Sequence, residues 1–223
     1  MRVGFISRGH FNEYTGRGNA HCCEAKADVL LFGFDGLSEV SYERELKGES
    51  IIFEDIAKLS KREENVVICG CITDIRGQKR KSAIVAENGR LIGVSDMLHV
   101  IDGVVGSGAS LKIYNTRLGK MGVIVAEDLY FPECIRSFAL CGCDFIVCPF
   151  GAVEEIQSVL LRAYAYCHGL PIFFCGVGYC MLADPSGKIV FSSPQSPIYT
   201  EYKGGKEYHI IETRKQTTCH PSI

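Results

Sequence analysis

The sequence predicts an α/β protein with mixed sheets, and three observations lead to this fold class. Continuous apolar runs of strand length recur, as in segments 28–34 and 170–177. Segments with apolar residues at helical spacing lie between them. Turn signals inside several strand pairs indicate hairpins, so the sheets are not purely parallel.

Strands are predicted wherever short apolar runs end at turn residues. Glu87, Asn88 and Gly89 mark one hairpin turn, and Leu118 with Gly119 marks a second. A third lies at residues 184–187, Asp-Pro-Ser-Gly. The predicted strand segments are 1–7, 28–34, 65–75, 79–96, 110–127, 143–150, 170–177, 179–193 and 206–213.

Helices are predicted from spacing and from end signals. Segment 49–62 places Ile52, Ile56 and Leu59 on one helical face. Segment 132–141 begins with proline and is followed by glycine, the favoured arrangement of these two residues at helix ends. The predicted helices are 19–27, 49–62, 132–141 and 153–168.

Composition excludes several classes of protein. The 223 residues are 47% hydrophobic and 22% charged, which suits one domain spanning 1–223. A net charge of −2 gives no basic excess, so no nucleic-acid partner is expected. No apolar run approaches a bilayer span and no signal-peptide core is present, so we expect a cytoplasmic protein with no membrane partner.

The 12 cysteines are interpreted as small core hydrophobes, because most lie in apolar runs. No C-x-x-C occurs, and the two C-G-C pairs have poor spacing for zinc. The sequence therefore predicts no metal and no cofactor. A metal or redox role for these thiols is the alternative.

Residues 119–152 carry the most specific pattern in the chain. They combine a glycine turn, an apolar strand predicted at 123–126, an acid, Phe131-Pro132-Glu133, a helix and a second strand. This pattern resembles the nucleophile region of the nitrilase, or carbon–nitrogen hydrolase, superfamily. Asn19, Ala25 and segment 27–32 are similar to the family's first helix and second strand, and segment 160–190 matches further motifs. The resemblance covers nearly the whole chain, from Arg2 to about Thr213.

The resemblance implies a single-domain α-β-β-α sandwich, a four-layer fold that often pairs into homodimers through its outer helices. Family members are usually longer, and we expect a single domain over 1–223 without a long C-terminal extension or the usual C-terminal dimer arm.

The same resemblance implies three catalytic positions: a glutamate base, a lysine that stabilises the oxyanion and a cysteine nucleophile. Ala126 takes the position of the cysteine, and Asp96 that of the lysine. A one-residue slip would place Met97 or Ser95 at the lysine position instead, and neither is a cation. The base position falls on Phe34 without a gap, or on Asp35 with one inserted residue. All three positions are thus altered, and we expect standard amidase chemistry to be lost.

Several acids and no lysine are expected around the turn at Ala126, here called the elbow. Asp35, Asp96, Glu127 and Asp128 would then form a site for an amine-bearing small molecule or a divalent ion. Alternatively, Glu127 and Asp128 face solvent or cap the helix that begins at Pro132.

Other residues have both a functional and a structural interpretation. Glu133 is a candidate ligand-binding residue or a helix-opening acid, and His99 is interpreted as structural. Cys180 is a candidate displaced nucleophile or a core residue. Ser107 lies in a glycine-rich loop that we expect at the pocket rim.

Three functions follow from these observations. The first is a non-catalytic protein of this superfamily that binds a small ligand or a partner. The second is an active hydrolase of amide, nitrile or carbamoyl C–N bonds with a displaced nucleophile. The third is a structural subunit that pairs with an active homologue.

Overall fold

The computed structural model describes residues 1–9, 11, 14, 26–37, 39–101, 103 and 105–205. The strand predicted at 206–213 and nearly all of the helix predicted at 19–27 lie outside these ranges. No helix within them has the length and apolar content needed to cross a bilayer.

The described chain forms two mixed sheets. The first has the order β13-β1-β2-β4-β5-β6, with β3 beside β4. Its strands are β1 (Arg2–Ile6), β2 (Val29–Phe32), β3 (Val40–Ser41), β4 (Val66–Ile75), β5 (Gln78–Glu87), β6 (Arg90–Asp96) and β13 (Ile198–Glu201).

The second sheet has the order β12-β11-β10-β9-β8-β7, in which β8, β9 and β10 are parallel. Its strands are β7 (Ile113–Thr116), β8 (Gly119–Val123), β9 (Phe145–Ala152), β10 (Ile172–Val177), β11 (Tyr179–Ala183) and β12 (Ile189–Ser193).

Helices cover the outer face of each sheet. They are α1 (Tyr42–Leu46), α2 (Ile52–Arg62), α3 (Pro132–Leu140) and α4 (Glu155–His168). Ile56 and Leu59 of α2 pack on the first sheet, at the spacing that predicted this helix. Phe138 of α3 and Leu161 of α4 pack on the second. A separate core, which includes Phe5 and Val147, fills the space between the sheets. The layer order is therefore α-β-β-α, which confirms the predicted fold class.

Several predicted elements differ from the structure by a few residues in their bounds, and two of these differences have a visible cause or lie at the site. The strand expected at 123–126 ends at Val123, and Ala126 instead begins a 3₁₀ helix, Ala126–Tyr130. The helix expected at 49–62 begins at Ile52, where Glu45 of the preceding helix accepts hydrogen bonds from two first-turn amides. We attribute both differences to contacts with other elements, which a reading of the local sequence does not include.

Candidate functional site

The site is built around a buried elbow that follows β8. Ala126 has φ +49°, in the left-handed region, and its side chain is 1% exposed in the core between the sheets. A non-glycine residue pays about 1–2 kcal/mol for this conformation. The resemblance placed the nucleophile at this position, and a strained turn is a common way to project a nucleophile from the end of a strand.

Glu127 pairs with a lysine that the sequence analysis did not assign. Its Oε1 lies 2.5 Å from Nζ of Lys81 on β5, and each side chain is 24% exposed. Oε2 of Glu127 is buried and has no hydrogen-bond partner among the described residues. The expectation of acids without a lysine is therefore wrong, because a cation from the other sheet reaches the elbow.

Asp128 fastens the elbow to the segment after β6. Asp128 is 1% exposed, and its carboxylate accepts hydrogen bonds from the backbone amides of Leu98 and His99 at 2.9 Å each. Its Oδ1 also lies 2.9 Å from Nδ1 of His99. Asp128 neither faces solvent nor caps the helix at Pro132, so both alternative interpretations are wrong for this residue.

Asp96, at the position assigned to the lysine, lies at the end of β6 and is also paired. Its Oδ2 lies 3.2 Å from a guanidinium nitrogen of Arg80, and its Oδ1 accepts the hydroxyl of Ser82 at 2.7 Å. The hydroxyl of Ser82 is 2.7 Å from that of Thr73. Burial, and then the charge of Asp96, raises the pKa of Tyr42 to about 12. A cation thus already compensates the acid at this position.

The two candidates for the base position point in different directions. The ring of Phe34 contacts the inter-sheet core and lies over Gly70, whereas Asp35 is exposed. Gly33 precedes them where the sheets approach closely, since a Cβ there would lie 3.1 Å from the carbonyl oxygens of Cys175 and Gly176. Of the two candidates for the base position, Asp35 is therefore on the surface and Phe34 packs against the interior.

The remaining candidates are divided between core and surface. Cys180 is fully buried, and its thiol donates to the carbonyl oxygen of Ser193 at 3.4 Å. Burial raises the pKa of Cys180 to about 12. The Glu133 side chain is 61% exposed in the first turn of α3. Ser107 is exposed and donates to the carbonyl oxygen of Leu98 at 2.6 Å.

Sequence reasoning missed Lys81 as a site residue and treated His99 as merely structural. The ring of His99 stacks on Phe131, with centroids 3.7 Å apart. Its Nδ1 lies 3.8 Å from the sulfur of Cys134, so imidazole, carboxylate and thiol meet beside the elbow. The basic run at 79–81 was the available signal for Lys81, but only strand pairing shows which of these cations reaches Glu127.

The α-β-β-α sandwich, with its elbow after a parallel strand, defines a nitrilase-like fold. The family model described as carbon-nitrogen hydrolase matches residues 29–200. The chain therefore belongs to the carbon-nitrogen hydrolase family.

Known relatives agree with this membership. A probable nitrilase of Schizosaccharomyces pombe is 27% identical over 185 residues, which cover 73% of this chain and 67% of that protein. Nit3 of Saccharomyces cerevisiae, a nitrilase-superfamily member, has the same fold with a TM-score of 0.72 at 17% identity, covering 100% of this chain and 95% of Nit3.

The amidase of Nesterenkonia sp. AN1 has the same fold, with a TM-score of 0.69 at 15% identity over 89% of this chain and 88% of the amidase. In that structure, which is of a mutant, the acetamide moiety of fluoroacetamide is covalently attached to the active-site cysteine.

Proposed function

We propose that this family member lacks standard amidase and nitrilase activity and binds a small amine-bearing molecule at the elbow. The observation that carries the proposal is Ala126, which occupies the buried left-handed turn after β8. A methyl group cannot attack a carbonyl or nitrile carbon. Removing a nucleophile from an enzyme of this kind costs several orders of magnitude in rate.

The surroundings of Ala126 support this proposal. Family chemistry needs a general base and a cation aimed at the oxyanion. The ammonium of Lys81 is engaged by Glu127, and the guanidinium of Arg80 by Asp96. Both cations are therefore already paired with acids of this chain, not with a developing negative charge.

A displaced thiol is not favoured as a substitute nucleophile. The thiolate is the reactive form of cysteine. The fully buried Cys180, with its pKa raised to about 12, carries almost no thiolate at neutral pH. Cys180 is therefore a poor nucleophile, and the alternative of an active hydrolase loses its leading candidate.

The ligand class follows from the unsatisfied acceptor at the elbow. Oε2 of Glu127 is a buried carboxylate oxygen without a partner in the described part of the chain. Leaving such a group unpaired costs about 1–3 kcal/mol or more. An ammonium or amine N–H of a ligand would satisfy it, which is why we propose an amine-bearing molecule.

Two assays on the purified chain test the proposal, with the Nesterenkonia amidase as positive control. Ammonia release is measured with an aliphatic amide, a nitrile and an N-carbamoyl amino acid, and mass spectrometry follows adduct formation with fluoroacetamide. We expect no turnover and no adduct with this chain. Turnover at enzyme-like rates would overturn the loss of activity.

Binding is tested by calorimetry with a monoamine, a diamine and a polyamine. We expect heat from at least one of them, and at least a tenfold weaker affinity for Glu127→Gln. The matched control is Glu155→Gln, an exposed acid in the first turn of α4 that should leave binding unchanged. No heat with any amine, or unchanged binding by Glu127→Gln, would overturn the ligand assignment.

We also propose that two copies pair through the outer face of α3 and α4. Four apolar side chains of these helices are exposed: Leu140 57%, Ile156 44%, Val159 52% and Tyr166 49%. Clusters of exposed apolar side chains commonly mark association surfaces. Alternatively, the same face pairs with an active homologue. An association experiment distinguishes these two partners.

A further inference from the structure

Three metal-binding side chains meet beside the elbow. The donor atoms of His99, Asp128 and Cys134 all lie within 4.8 Å of one another. Asp128 and Cys134 are each 1% exposed, and the side chain of His99 is 29% exposed. The cluster is thus largely enclosed but reachable past the imidazole.

The separations of the donor atoms suit one small ion. Tetrahedral zinc with ordinary bond lengths holds a nitrogen and a sulfur ligand about 3.6 Å apart, and a nitrogen and an oxygen ligand about 3.3 Å apart. Here Nδ1 of His99 is 3.8 Å from the sulfur of Cys134 and 2.9 Å from Oδ1 of Asp128. Both distances from Nδ1 are within a few tenths of an ångström of the zinc values, and the third separation, between the donor atoms of Asp128 and Cys134, is within 4.8 Å.

The chemistry of the donors selects the ion. Thiolate and imidazole favour zinc and similar transition metals, whereas magnesium and calcium prefer sets of oxygen ligands. Mg²⁺ and Ca²⁺ are therefore poor fits to this cluster.

The groups around the cluster already hold the donors in place. Two backbone amides fix the carboxylate of Asp128, and Phe131 stacks on the ring of His99. With metal on Nδ1, the imidazole proton would reside on Nε2, which lies 3.7 Å from Oε1 of Glu133. A carboxylate behind the second ring nitrogen is the usual support of a metal-bound histidine.

We propose that His99, Asp128 and Cys134 form a binding site for one transition-metal ion of the zinc type. On binding, the thiol of Cys134 releases its proton to solvent, and the imidazole takes the tautomer protonated at Nε2. Three protein ligands leave the fourth position to water or a small anion. This inference does not depend on whether the chain hydrolyses amides.

The test uses the full chain, stripped with a chelator and kept reduced, and titrates it with Co²⁺ and Zn²⁺. We expect one equivalent of Co²⁺ to bind and to produce a thiolate-to-cobalt charge-transfer absorption. Zn²⁺ should displace the cobalt, whereas excess Mg²⁺ should not. The absence of stoichiometric binding, or of the charge-transfer band, would overturn the site.

Variants separate this site from adventitious binding by other thiols. Cys134→Ser should abolish the absorption band, and His99→Gln should weaken binding by more than the roughly 10–100-fold cost of losing a supporting residue. Two controls should bind as the native chain does: Cys141→Ser, at the exposed end of α3, and the Cys22→Ser/Cys23→Ser double variant. A band that survives Cys134→Ser, or that disappears in either control, would also overturn the proposal.

Circular dichroism of each metal-free variant establishes that it is folded. If Cys134→Ser does not fold, His99→Gln decides the question, because this partly exposed side chain is the least embedded of the three. Native-like affinity in His99→Gln would then contradict the site.

Discussion

Lys81 on β5 and Glu127 at the elbow form an ion pair of 2.5 Å that joins the first sheet to the segment following β8. The two residues are 46 positions apart in the sequence. The pair is partly shielded from water, so its two charges should interact more strongly than those of an ordinary surface pair.

A double-mutant cycle should measure this coupling. With Lys81→Met and Glu127→Gln, we expect a coupling energy of about 1–2 kcal/mol, between the values typical of exposed and buried pairs. Lys58 and Glu54, exposed on α2 and 2.7 Å apart, are the control and should give about 0.3–0.5 kcal/mol. Equal couplings from the two cycles in urea denaturation would contradict the shielding.

Asp128→Ala should destabilise the metal-free protein by about 2–4 kcal/mol, because it leaves the amides of Leu98 and His99 without their acceptor. Asp74→Ala removes the acceptor of a single amide in an exposed hairpin and should cost less than about 1 kcal/mol. Chemical denaturation checks both values, and similar losses would show that Asp128 does not anchor the elbow.

Gly33→Ala should destabilise the protein by about 1–3 kcal/mol, since the new methyl group would lie 3.1 Å from two backbone carbonyl oxygens of β10. Gly151→Ala is the matched control, because a Cβ at residue 151 meets nothing within 4 Å. That control should be neutral or slightly stabilising. Thermal unfolding of both variants tests how closely the sheets approach at Gly33.

Stability should fall steeply once the pH rises above about 9. Burial raises the pKa values of Cys69, Cys148, Cys175 and Cys180 above the ordinary thiol value. Their contribution to stability is complete well below the ordinary thiol pKa of about 8.5, where thiols are protonated in both states. Above it only the unfolded state loses protons, and each thiol costs about 1.4 kcal/mol per pH unit up to its folded pKa.

Urea denaturation under reducing conditions between pH 8 and 11 measures this slope. Cys180→Ser should reduce the slope by roughly one proton, whereas Cys141→Ser, at an exposed position, should leave it unchanged. A stability that is flat across this range would show that these thiols are not buried.

Association through the proposed α3–α4 face should be sensitive to charge. Val159→Asp places a carboxylate on that face and should lower the dimer fraction at least tenfold in analytical ultracentrifugation. Val190→Asp introduces the same charge at a similarly exposed position of β12 and should have no effect. Equal effects, or a native chain that is monomeric at all concentrations, would count against this face.

Local signals accounted for much of the fold. Asn88 and Gly89 have φ values of 50° and 78°, as the Asn-Gly hairpin turn requires, and α3 starts at Pro132 as predicted. The strand β13 was not predicted, because its pairing with β1 joins opposite ends of the chain.

The site was less predictable for the same physical reason. Nothing in the residues near Glu127 indicates that Lys81 will reach it, since strand order and register decide that contact. The left-handed turn at Ala126 also has no local signal, because alanine has no preference for positive φ.

The hydrogen bonds that Asp128 accepts from the amides of Leu98 and His99 affect which residues can occupy position 126. These hydrogen bonds, made two positions further along the chain, help to hold the turn in place, so its backbone path does not rest on the side chain of residue 126 alone. Small side chains should therefore be interchangeable at that position while the loop keeps its shape. A substitution at residue 126 can therefore change the reaction that the site performs while the turn and the surrounding fold are retained.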